Sequence, residues 1–553
     1  MVIKFNYPMS HSSSFEALRR ALGLAALCEQ RGLGTDEGRD RLYRALQKRW
    51  AGRVSRRHFL AIAAGSTLGA VGLSRQGELW AAPKPKPSIK VGIVGAGLAG
   101  LSCGYELKKQ GISATLFEAS DRPGGRCASL RGFFPQQVAE QGGEFIDNLH
   151  KTMLGYAREF GLTLEDLSKE PGEVTYFFNQ QRYPESAIVD EFRQLVDAMR
   201  DDLRTLSGAP TADLFNAADA QLDNTSLSDY LDARGAGSLA KAAIEEAYLA
   251  EYGLEPSAQS ALNFLLFIHA DRRSKFTPFG VFSDERYHVI EGNDKIVQGL
   301  RDRLPNQIRH GARLVRIRKT SLSQLELTFQ QDTGRSTSEV FDAVVMAIPF
   351  TTLRQVELDA SLELPAWKLK AIQELGYGTN AKQMIGFQSR PWAALSSNGS
   401  SYSDLPHHQA TWETNPSRAS LDRAILTDYA SGDRGLALNP RQSQTEASRF
   451  LRDLDRVYPG AFAAARRDRT GNFIQSYLAH WPSNPLSLGS YTCYTPGQFT
   501  TIAGNEGKPI GNLHFAGEHA NSFYEWQGFM EGAALSGIQA ASEILQKLKV
   551  GAL

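Results

Sequence analysis

The chain has 553 residues, of which 42% are hydrophobic and 22% are charged, and its formal net charge is +1. This length is too great for one compact core, so the composition predicts a globular protein of two or three domains. A nearly neutral chain gives no support for nucleic-acid binding. The scattered histidines and the four cysteines lack the spacing of a metal site or of a disulfide framework.

The first 82 residues have a pattern of their own. Residues 55–60, SRRHFL, resemble the twin-arginine export motif and begin the predicted signal segment, residues 55–82. The uncharged run that follows, at ~1.5 Å per residue, spans about 22 Å against a hydrocarbon core of about 30 Å, so it predicts a signal rather than a membrane anchor. The resemblance implies the twin-arginine export machinery as a partner and a periplasmic or secreted protein.

Residues 1–54 form an N-terminal extension longer than an ordinary signal requires. They contain a basic helical pattern over 15–53 but no readable motif. Two interpretations remain: a genuine extension, or a translation start placed too early, with Val54 as an alternative start. The Lys-Pro repeat at 84–87 then predicts a linker before the folded domain.

A glycine-rich turn follows the first predicted strand, residues 89–94. Its G-x-G-x-x-G pattern predicts a dinucleotide site: the first glycine allows the turn, the second lets a pyrophosphate approach, and the third lets helix pack on strand. The helix then offers N–H donors to the phosphates. The predicted cofactor contacts in this turn are Gly95, Gly97, Leu98, Ala99 and Gly100.

An acid ends the second predicted strand, residues 113–117. Glu118, followed by Ala119, is placed to bind ribose hydroxyls and would repel a 2′-phosphate. The residues therefore predict FAD or NAD rather than NADP.

The next turn, residues 121–126 (DRPGGR), resembles the second glycine motif of the flavin-containing amine oxidase superfamily. The resemblance places Arg126 near the FAD diphosphate. Such a turn can also be an ordinary surface turn. Its position directly after Glu118 favours FAD, because an NAD enzyme does not need it there.

Further segments match the same superfamily through the rest of the chain. Residues 139–146 resemble the segment that lies beside the flavin ring, and Val315 matches the position whose backbone meets adenine. Residues 512–518 and 526–533 resemble the strand and the helix start that lie at the carbonyl end of the flavin. The helix dipole there would stabilise negative charge on the flavin. The further implied FAD contacts are Gly142, Gly143, Glu144, Phe145, Val315, Gly517, Glu518, Gly528, Phe529 and Met530.

The resemblance covers residues 89–549 and implies an α/β fold, with a Rossmann-type FAD-binding domain interleaved with an α+β substrate-binding domain. The FAD-binding parts are expected at 83–160, 285–360 and 476–553. The substrate-domain parts are expected at 161–284, predicted to be helical, and at 361–475, with a strand near 382–388. The helices predicted from 150 to 282 span 153–160, 188–206, 226–231, 238–250 and 257–268.

Three residues match catalytic positions of the superfamily. Lys382 corresponds to the lysine that contacts the flavin through water, although a lone lysine in a strand is more often solvated. Tyr491 and Phe529 correspond to the two walls of an aromatic cage, although both could be ordinary core residues. Ser490 stands where monoamine oxidases carry the cysteine that attaches their flavin, so FAD is expected to be non-covalent.

The resemblance implies oxidation of an amine by FAD and dioxygen to an imine or aldehyde, ammonia and hydrogen peroxide. A primary amine or polyamine is favoured because residues 143–147 lack the arginine that L-amino-acid oxidases use for the carboxylate, and Glu144 could hold a second ammonium. An L-amino-acid oxidase remains open, with Arg272 or Arg273 as the carboxylate partner. A quinone-linked dehydrogenase, a binding protein without turnover and a homodimer also remain open.

Overall fold

The computed structural model describes residues 89–167, 172–269, 286–331, 334–415, 423–522 and 526–553, together with Ala25, Cys28, Glu29, Gly34 and Thr35. The predicted signal segment, residues 55–82, lies outside the described residues. Within the described parts of the chain, every helix is too short or too polar to span a lipid bilayer.

A five-stranded parallel sheet carries the N-terminal glycine turn. All neighbouring strands are parallel, as expected for a doubly wound Rossmann-type domain. The two central strands, VGIV and AVVM, are buried throughout, which explains their unbroken apolar sequence. In sheet order the strands are Leu513–Phe515, Ala343–Met346, Val91–Val94, Thr115–Phe117 and Ile308–Arg309.

Two helices pack against each other beside this sheet, Leu98–Lys109 and Met530–Lys549. A methyl group on Gly537 would collide with the carbonyl oxygen of Ala99, so the close approach requires glycine. The first and last segments of the domain are thereby joined.

A second, seven-stranded sheet forms the centre of the other domain. In sheet order its strands are Ser476–His480, Ala381–Phe387, Ala424–Ala430, Ala410–Glu413, Ser397–Ser403, Glu173–Phe178 and Gln181–Tyr183. Neighbours are antiparallel except Ser397–Ser403 and Glu173–Phe178, which are parallel. The strand predicted near 382–388 is therefore present and lies inside the sheet.

Three expectations about this domain are corrected. The stretch 161–284 is not helical throughout: it contains Leu164–Asp166 and two strands of the seven-stranded sheet, because its run EVTYFF is rich in β-branched and aromatic residues. Ser476–His480, assigned to the FAD-binding part, pairs with Ala381–Phe387 instead. The predicted helix 188–206 is two helices separated at Met199.

The remaining elements complete both domains. The helices of the substrate half are Glu185–Ala198, Arg200–Thr205, Ala217–Asp223, Leu227–Ala233, Ser238–Tyr252, Ala261–His269, Ala366–Glu374, Gly432–Ala437, Ser443–Val457 and Ala461–Ala464. Those of the other half include Lys151–Glu159, Asp294–Asp302 and Phe350–Leu353. A four-stranded sheet has the order Ser336–Phe341, Leu325–Gln331, Ala312–Lys319 and Glu357–Leu358, and two short pairs join Ser129–Leu130 to Ala139–Glu140 and Leu164–Asp166 to Tyr287–Val289. Short 3-10 turns occur at Pro256–Ala258, Ala360–Leu362, Pro391–Leu395, Pro440–Gln442 and Glu518–Ala520.

Candidate active site

A cavity of about 600 Å³ lies between the carboxyl ends of the parallel strands and the seven-stranded sheet. Its nucleotide end is formed by the glycine turn and Glu118, and its catalytic end by Glu144, Lys382, Tyr429, Tyr491 and Phe529. Among the described residues, every one predicted to bind cofactor or substrate except Gly100 lines this cavity.

The three glycines of the turn meet three different surroundings. Gly95 has a φ of +100°, and a methyl group there would lie 2.6 Å from the Ala347 carbonyl oxygen. A methyl group on Gly97 would find its nearest heavy atom, the Gly124 carbonyl oxygen, 4.0 Å away, which leaves room for a phosphate. On Gly100 it would collide with the Gly95 carbonyl oxygen, so this glycine permits the helix–strand packing from behind the cavity wall.

Glu118 is held rigidly at the end of its strand. One carboxylate oxygen accepts a hydrogen bond from the Ala96 N–H at 2.9 Å, and the other accepts from the Ser120 N–H at 2.9 Å and hydroxyl at 2.8 Å. The carboxylate lines the cavity and retains lone pairs for ribose hydroxyls.

Arg126 joins the second glycine motif to two distant segments. Its Nη1 donates to Glu518 Oε1 at 2.8 Å and to the Ser490 carbonyl at 2.6 Å. The other oxygen of Glu518 accepts from the Thr492 hydroxyl at 2.9 Å. The arginine expected beside the diphosphate is thus fixed by a carboxylate that also lines the cavity.

Val315 occupies a special position in the strand Ala312–Lys319. The pairing register with Leu325–Gln331 shifts between Leu314 and Arg316, so Val315 is the extra residue of a β-bulge. It lines the cavity, where its backbone can face an adenine ring instead of a neighbouring strand.

Glycine backbone and a helix N-terminus form the wall opposite the seven-stranded sheet. A methyl group on Gly143 would lie 2.8 Å from the Met530 side chain, so this backbone passes close to the first residue of Met530–Lys549. The positive end of that helix dipole therefore lies at the cavity wall. Glu531 turns away and accepts hydrogen bonds from the N–H groups of Thr152 and Met153, each at 2.8 Å.

Lys382 and Glu144 form a buried ion pair at the catalytic end. Lys382 Nζ lies 2.6 Å from Glu144 Oε2 and donates to the Gly142 carbonyl at 2.7 Å, and the two side chains are 6% and 2% exposed. Glu144 Oε1 accepts a hydrogen bond from Trp412 Nε1 at 3.0 Å. Lys382 is therefore not a solvated edge residue. Glu144 does not offer a free carboxylate to a second ammonium, because its charge is already shared by Lys382 and Trp412.

Glu140 lies behind this pair, and the pKa of its carboxyl group is perturbed. Burial raises the pKa of Glu140 to about 8, against the opposing effect of hydrogen bonds from the Asn293 N–H and the Ser129 hydroxyl. The raised pKa favours the protonated form of Glu140, and Glu144, which contacts Lys382 directly, is the counterion of that lysine.

Tyr491 lies in a hydrogen-bonded row. Its hydroxyl donates to the Glu251 carbonyl at 2.7 Å and lies 3.0 Å from the Tyr429 hydroxyl. Tyr429 is directly opposite Lys382 in the paired strands, and both line the cavity. Tyr429 was missed in the sequence because only the strand register brings it to the site.

Phe529 is supported from behind by aromatic rings. Its ring centroid lies 6.0 Å from Trp526 and 5.3 Å from the His150 ring. Burial lowers the pKa of His150 to about 4, so this imidazole is neutral. A rigid apolar wall results, with Trp481 as a further lining residue that the sequence did not indicate.

Among the described residues, the cysteines form no disulfide and the potential metal ligands form no metal site. All four cysteines, among the described residues, are buried thiols outside any disulfide. Of them, only Cys127 lines the cavity, and burial raises its pKa well above the usual value, which keeps the thiol unreactive. The described residues contain no cluster of ligands suited to a metal ion.

A family model for flavin-containing amine oxidoreductases matches residues 98–545. The chain belongs to this family. It is accordingly an FAD-dependent amine oxidoreductase. The cavity fits that cofactor, because the open space at Gly97, the carboxylate of Glu118, the bulge at Val315 and the helix N-terminus at Met530 are the contacts that a dinucleotide requires.

The similar proteins divide into two groups. The chain is 27% identical over 481 residues to a candidate L-amino-acid oxidase, YobN, of Bacillus subtilis, which covers 82% of this chain and 94% of the relative. It is 23% identical over 489 residues to the L-amino acid oxidase Bs29 of Bothriechis schlegelii, covering 85% and 92%. In structure it resembles cyclohexylamine oxidase from Brevibacterium oxydans, with a TM-score of 0.69, 20% identity and coverage of 84% and 100%.

Proposed function

We propose that this amine oxidoreductase oxidises a primary amine that has an uncharged body and lacks an α-carboxylate, with dioxygen as the electron acceptor. The observation that carries the proposal is the composition of the catalytic end, where the described lining is aromatic and its one cation, Lys382, is already paired with Glu144.

Each arginine among the described lining residues has another task. Arg126 is bonded to Glu518 and the Ser490 carbonyl, Arg122 to the carbonyls of its own turn, and Arg313 to Gln355. Among the described residues, a substrate carboxylate at the catalytic end would therefore lack a bidentate partner, and a buried unpaired carboxylate costs several kcal/mol.

The chemistry divides between cofactor and protein. When bound, FAD supplies hydride acceptance from the α-carbon of the amine and electron transfer to dioxygen. The rings of Tyr429, Tyr491 and Phe529 provide flat apolar walls that can orient a neutral amine. Lys382 is ion-paired with Glu144 and hydrogen-bonded to the Gly142 carbonyl, which fixes the position of its ammonium group at this end of the cavity.

Glu144 also affects the choice among amines. A diamine would need a second anion for its distal ammonium, and Glu144 is taken up by Lys382 and Trp412. A monoamine with an apolar body is therefore favoured over a polyamine, which revises the expectation drawn from the sequence.

L-amino-acid oxidation is the second candidate, and the named sequence relatives favour it. It requires a carboxylate partner beyond the described residues. Arg272 and Arg273, proposed for this role from the sequence, lie outside the described residues.

Paired substrates decide between the candidates. Peroxide formation should be measured for phenethylamine against L-phenylalanine, and for cadaverine against L-lysine. We expect a higher kcat/KM for phenethylamine than for L-phenylalanine, and only weak turnover of cadaverine. A preference of tenfold or more for the amino acid, about 1.4 kcal/mol in transition-state binding, would establish the second candidate.

The acceptor is tested with the same panel. An oxidase forms hydrogen peroxide in air, whereas a quinone-linked dehydrogenase turns over only when an artificial acceptor is added. Peroxide formed at the rate of amine consumption supports dioxygen as the acceptor. A protein that binds FAD but consumes no substrate with either acceptor would be a binding module.

FAD is proposed to be held without a covalent bond. Ser490, rather than a cysteine, lines the cavity before Tyr491, and Cys493 is buried away from the lining. Acid precipitation should leave the yellow colour in the supernatant. Colour retained in the pellet would contradict the proposal.

Export through the twin-arginine route is proposed from residues 55–60. The route carries folded proteins, which suits an enzyme that must load FAD beforehand. Replacing Arg56 and Arg57 together by lysine should retain active enzyme in the cytoplasm. Periplasmic activity equal to that of the unmodified chain would refute this.

A further inference from the structure

The N-terminal extension is in contact with the folded enzyme. Ala25 and Cys28 are both 0% exposed and belong to the same apolar cluster as Ile188, Val189 and Phe192 of the helix Glu185–Ala198. Residues from the extension are therefore part of the continuous core of the substrate domain, although residues 36–88 separate them from the first strand of the cofactor domain.

Polar contacts fix the register of this packing. Arg193 Nε donates to Glu29 Oε1 at 2.6 Å, and Arg193 Nη1 donates to the Thr35 hydroxyl at 3.2 Å. The Thr35 hydroxyl in turn donates to Asp190. Asp190 and Arg193 lie on one face of their helix. Together they contact Glu29 and Thr35, which are six positions apart in the extension.

We infer that the stretch carrying Ala25, Cys28, Glu29 and Thr35 is a docking segment for the helix Glu185–Ala198, and that it stays bound to the enzyme when the chain is cut between residues 36 and 88. The contact combines buried apolar side chains, an ion pair between Arg193 and Glu29, and a hydrogen bond to the Thr35 hydroxyl. This combination is typical of a specific interface rather than of a loosely attached tail.

The docked face connects to the catalytic end through one further layer. Glu185–Ala198 packs on Ser238–Tyr252, whose Glu251 carbonyl accepts the hydrogen bond from Tyr491. The described residues of the segment therefore support the helix pair behind Tyr491, and none of them lines the cavity. The inference does not depend on the identity of the amine or on the export route.

Cys28 provides a built-in reporter of docking. The other three cysteines are 0–3% exposed in the body of the protein, and Cys28 is buried through the docked segment. In the full-length, FAD-loaded protein, a thiol reagent should modify no cysteine quickly. Replacing Cys28 by serine should leave that slow background unchanged and remove any signal assigned to the segment.

Charge exchange tests the specificity of the contact. Arg193→Glu places an acid opposite Glu29 and beside Asp190, so one thiol, Cys28, should react roughly tenfold faster as the segment opens locally. Combining it with Glu29→Arg should restore protection. Arg200→Glu, at an exposed arginine that pairs only with Asp197 among the described residues, is the matched control and should leave Cys28 protected.

Retention after cleavage tests the main claim directly. A protease recognition sequence placed at residues 84–87 allows the folded full-length protein to be cut, followed by gel filtration and mass spectrometry. We expect the N-terminal fragment to co-elute with the yellow FAD-bearing fragment in the unmodified chain and to separate in Arg193→Glu. Separation in the unmodified chain, or rapid labelling of Cys28 before the cut, would overturn the inference.

Discussion

The two ends of the cavity are built in opposite ways. The nucleotide end comes mainly from one short stretch of chain, in which a strand, a glycine turn, a helix and an acid follow one another from residue 91 to residue 118, with Arg126 and Val315 added from outside it. The catalytic end combines Glu144, Lys382, Tyr429, Tyr491 and Phe529, which come from five separate parts of the chain. The first is held mainly by backbone, and the second by side chains that bind one another.

This difference indicates where each end is vulnerable. At the nucleotide end, Gly95 and Gly100 have no room for a side chain, because a methyl group there would collide with neighbouring backbone. The catalytic end depends on charge balance, because Lys382 and Glu144 are both out of water and each needs the other. Substitutions should therefore act through sterics at one end and through electrostatics at the other.

The largest effect is expected from breaking the buried ion pair. Lys382→Met leaves Glu144 without its cation and should lower the free energy of unfolding by about 3–5 kcal/mol. The double variant Lys382→Met/Glu144→Gln should recover more than half of this loss. Urea unfolding of both variants is the measurement.

The control for that experiment is Lys370→Met, at an exposed lysine paired with Glu374, which should cost about 0–1 kcal/mol. In the Lys382→Met enzyme, stopped-flow kinetics should also show reoxidation of the flavin slowed more than its reduction. An unchanged reoxidation rate would remove Lys382 from the chemistry.

The next effect concerns pH and the support of Phe529. The pKa of His150 is lowered by burial from 6.5 to about 4, so between these values the unfolded chain binds a proton that the folded chain does not. The resulting stability is complete above pH 6.5 and is lost as the pH falls toward 4, at up to about 1.4 kcal/mol per pH unit. His150→Gln should flatten the dependence of the unfolding free energy on pH in this window, and an unchanged slope would contradict the assignment.

The nucleotide end should respond to added methyl groups in two distinct ways. Gly100→Ala should destabilise the apoprotein by about 1–3 kcal/mol through overpacking. Gly97→Ala should leave the apoprotein stable and weaken FAD binding, because its methyl group enters only the open space. Thermal unfolding of apoprotein and fluorescence titration with FAD separate the two effects.

Gly155→Ala is the matched control for these two variants, since it adds a methyl group with nothing within 4 Å on the helix Lys151–Glu159. It should be neutral or stabilising by up to about 1 kcal/mol. Equal losses of apoprotein stability in the Gly97 and Gly100 variants would mean that the two glycines do not differ in role.

The smallest effect is expected from the tyrosine hydroxyls. Tyr491→Phe keeps the ring but removes the hydrogen bond to the Glu251 carbonyl, so kcat/KM should fall less than tenfold, or about 1 kcal/mol. Tyr429→Phe should have a smaller effect than Tyr491→Phe. A loss above a hundredfold in either variant would assign the hydroxyl a direct role in the reaction.

The sequence was most informative where function depends on neighbouring residues. The glycine turn, Glu118 and the helix at Met530 were recognisable because turn chemistry and strand-to-helix periodicity are local properties. The strands Glu173–Phe178 and Gln181–Tyr183 were missed because the surrounding helices dominated the pattern. They pair with each other, and the other partner of Glu173–Phe178, Ser397–Ser403, is more than two hundred residues away.

By itself, then, the sequence determined the dinucleotide turn and the family, and it predicted catalytic positions at Lys382, Tyr491 and Phe529. Only the tertiary structure decided that Glu144 neutralises Lys382 instead of facing a second ammonium, that Tyr429 stands opposite that lysine, and that Ala25 and Cys28 pack into the substrate domain. The physical reason is that the geometry of a turn is set by residues adjacent in the chain, whereas the charge state of a buried side chain is set by whichever distant groups the fold places against it.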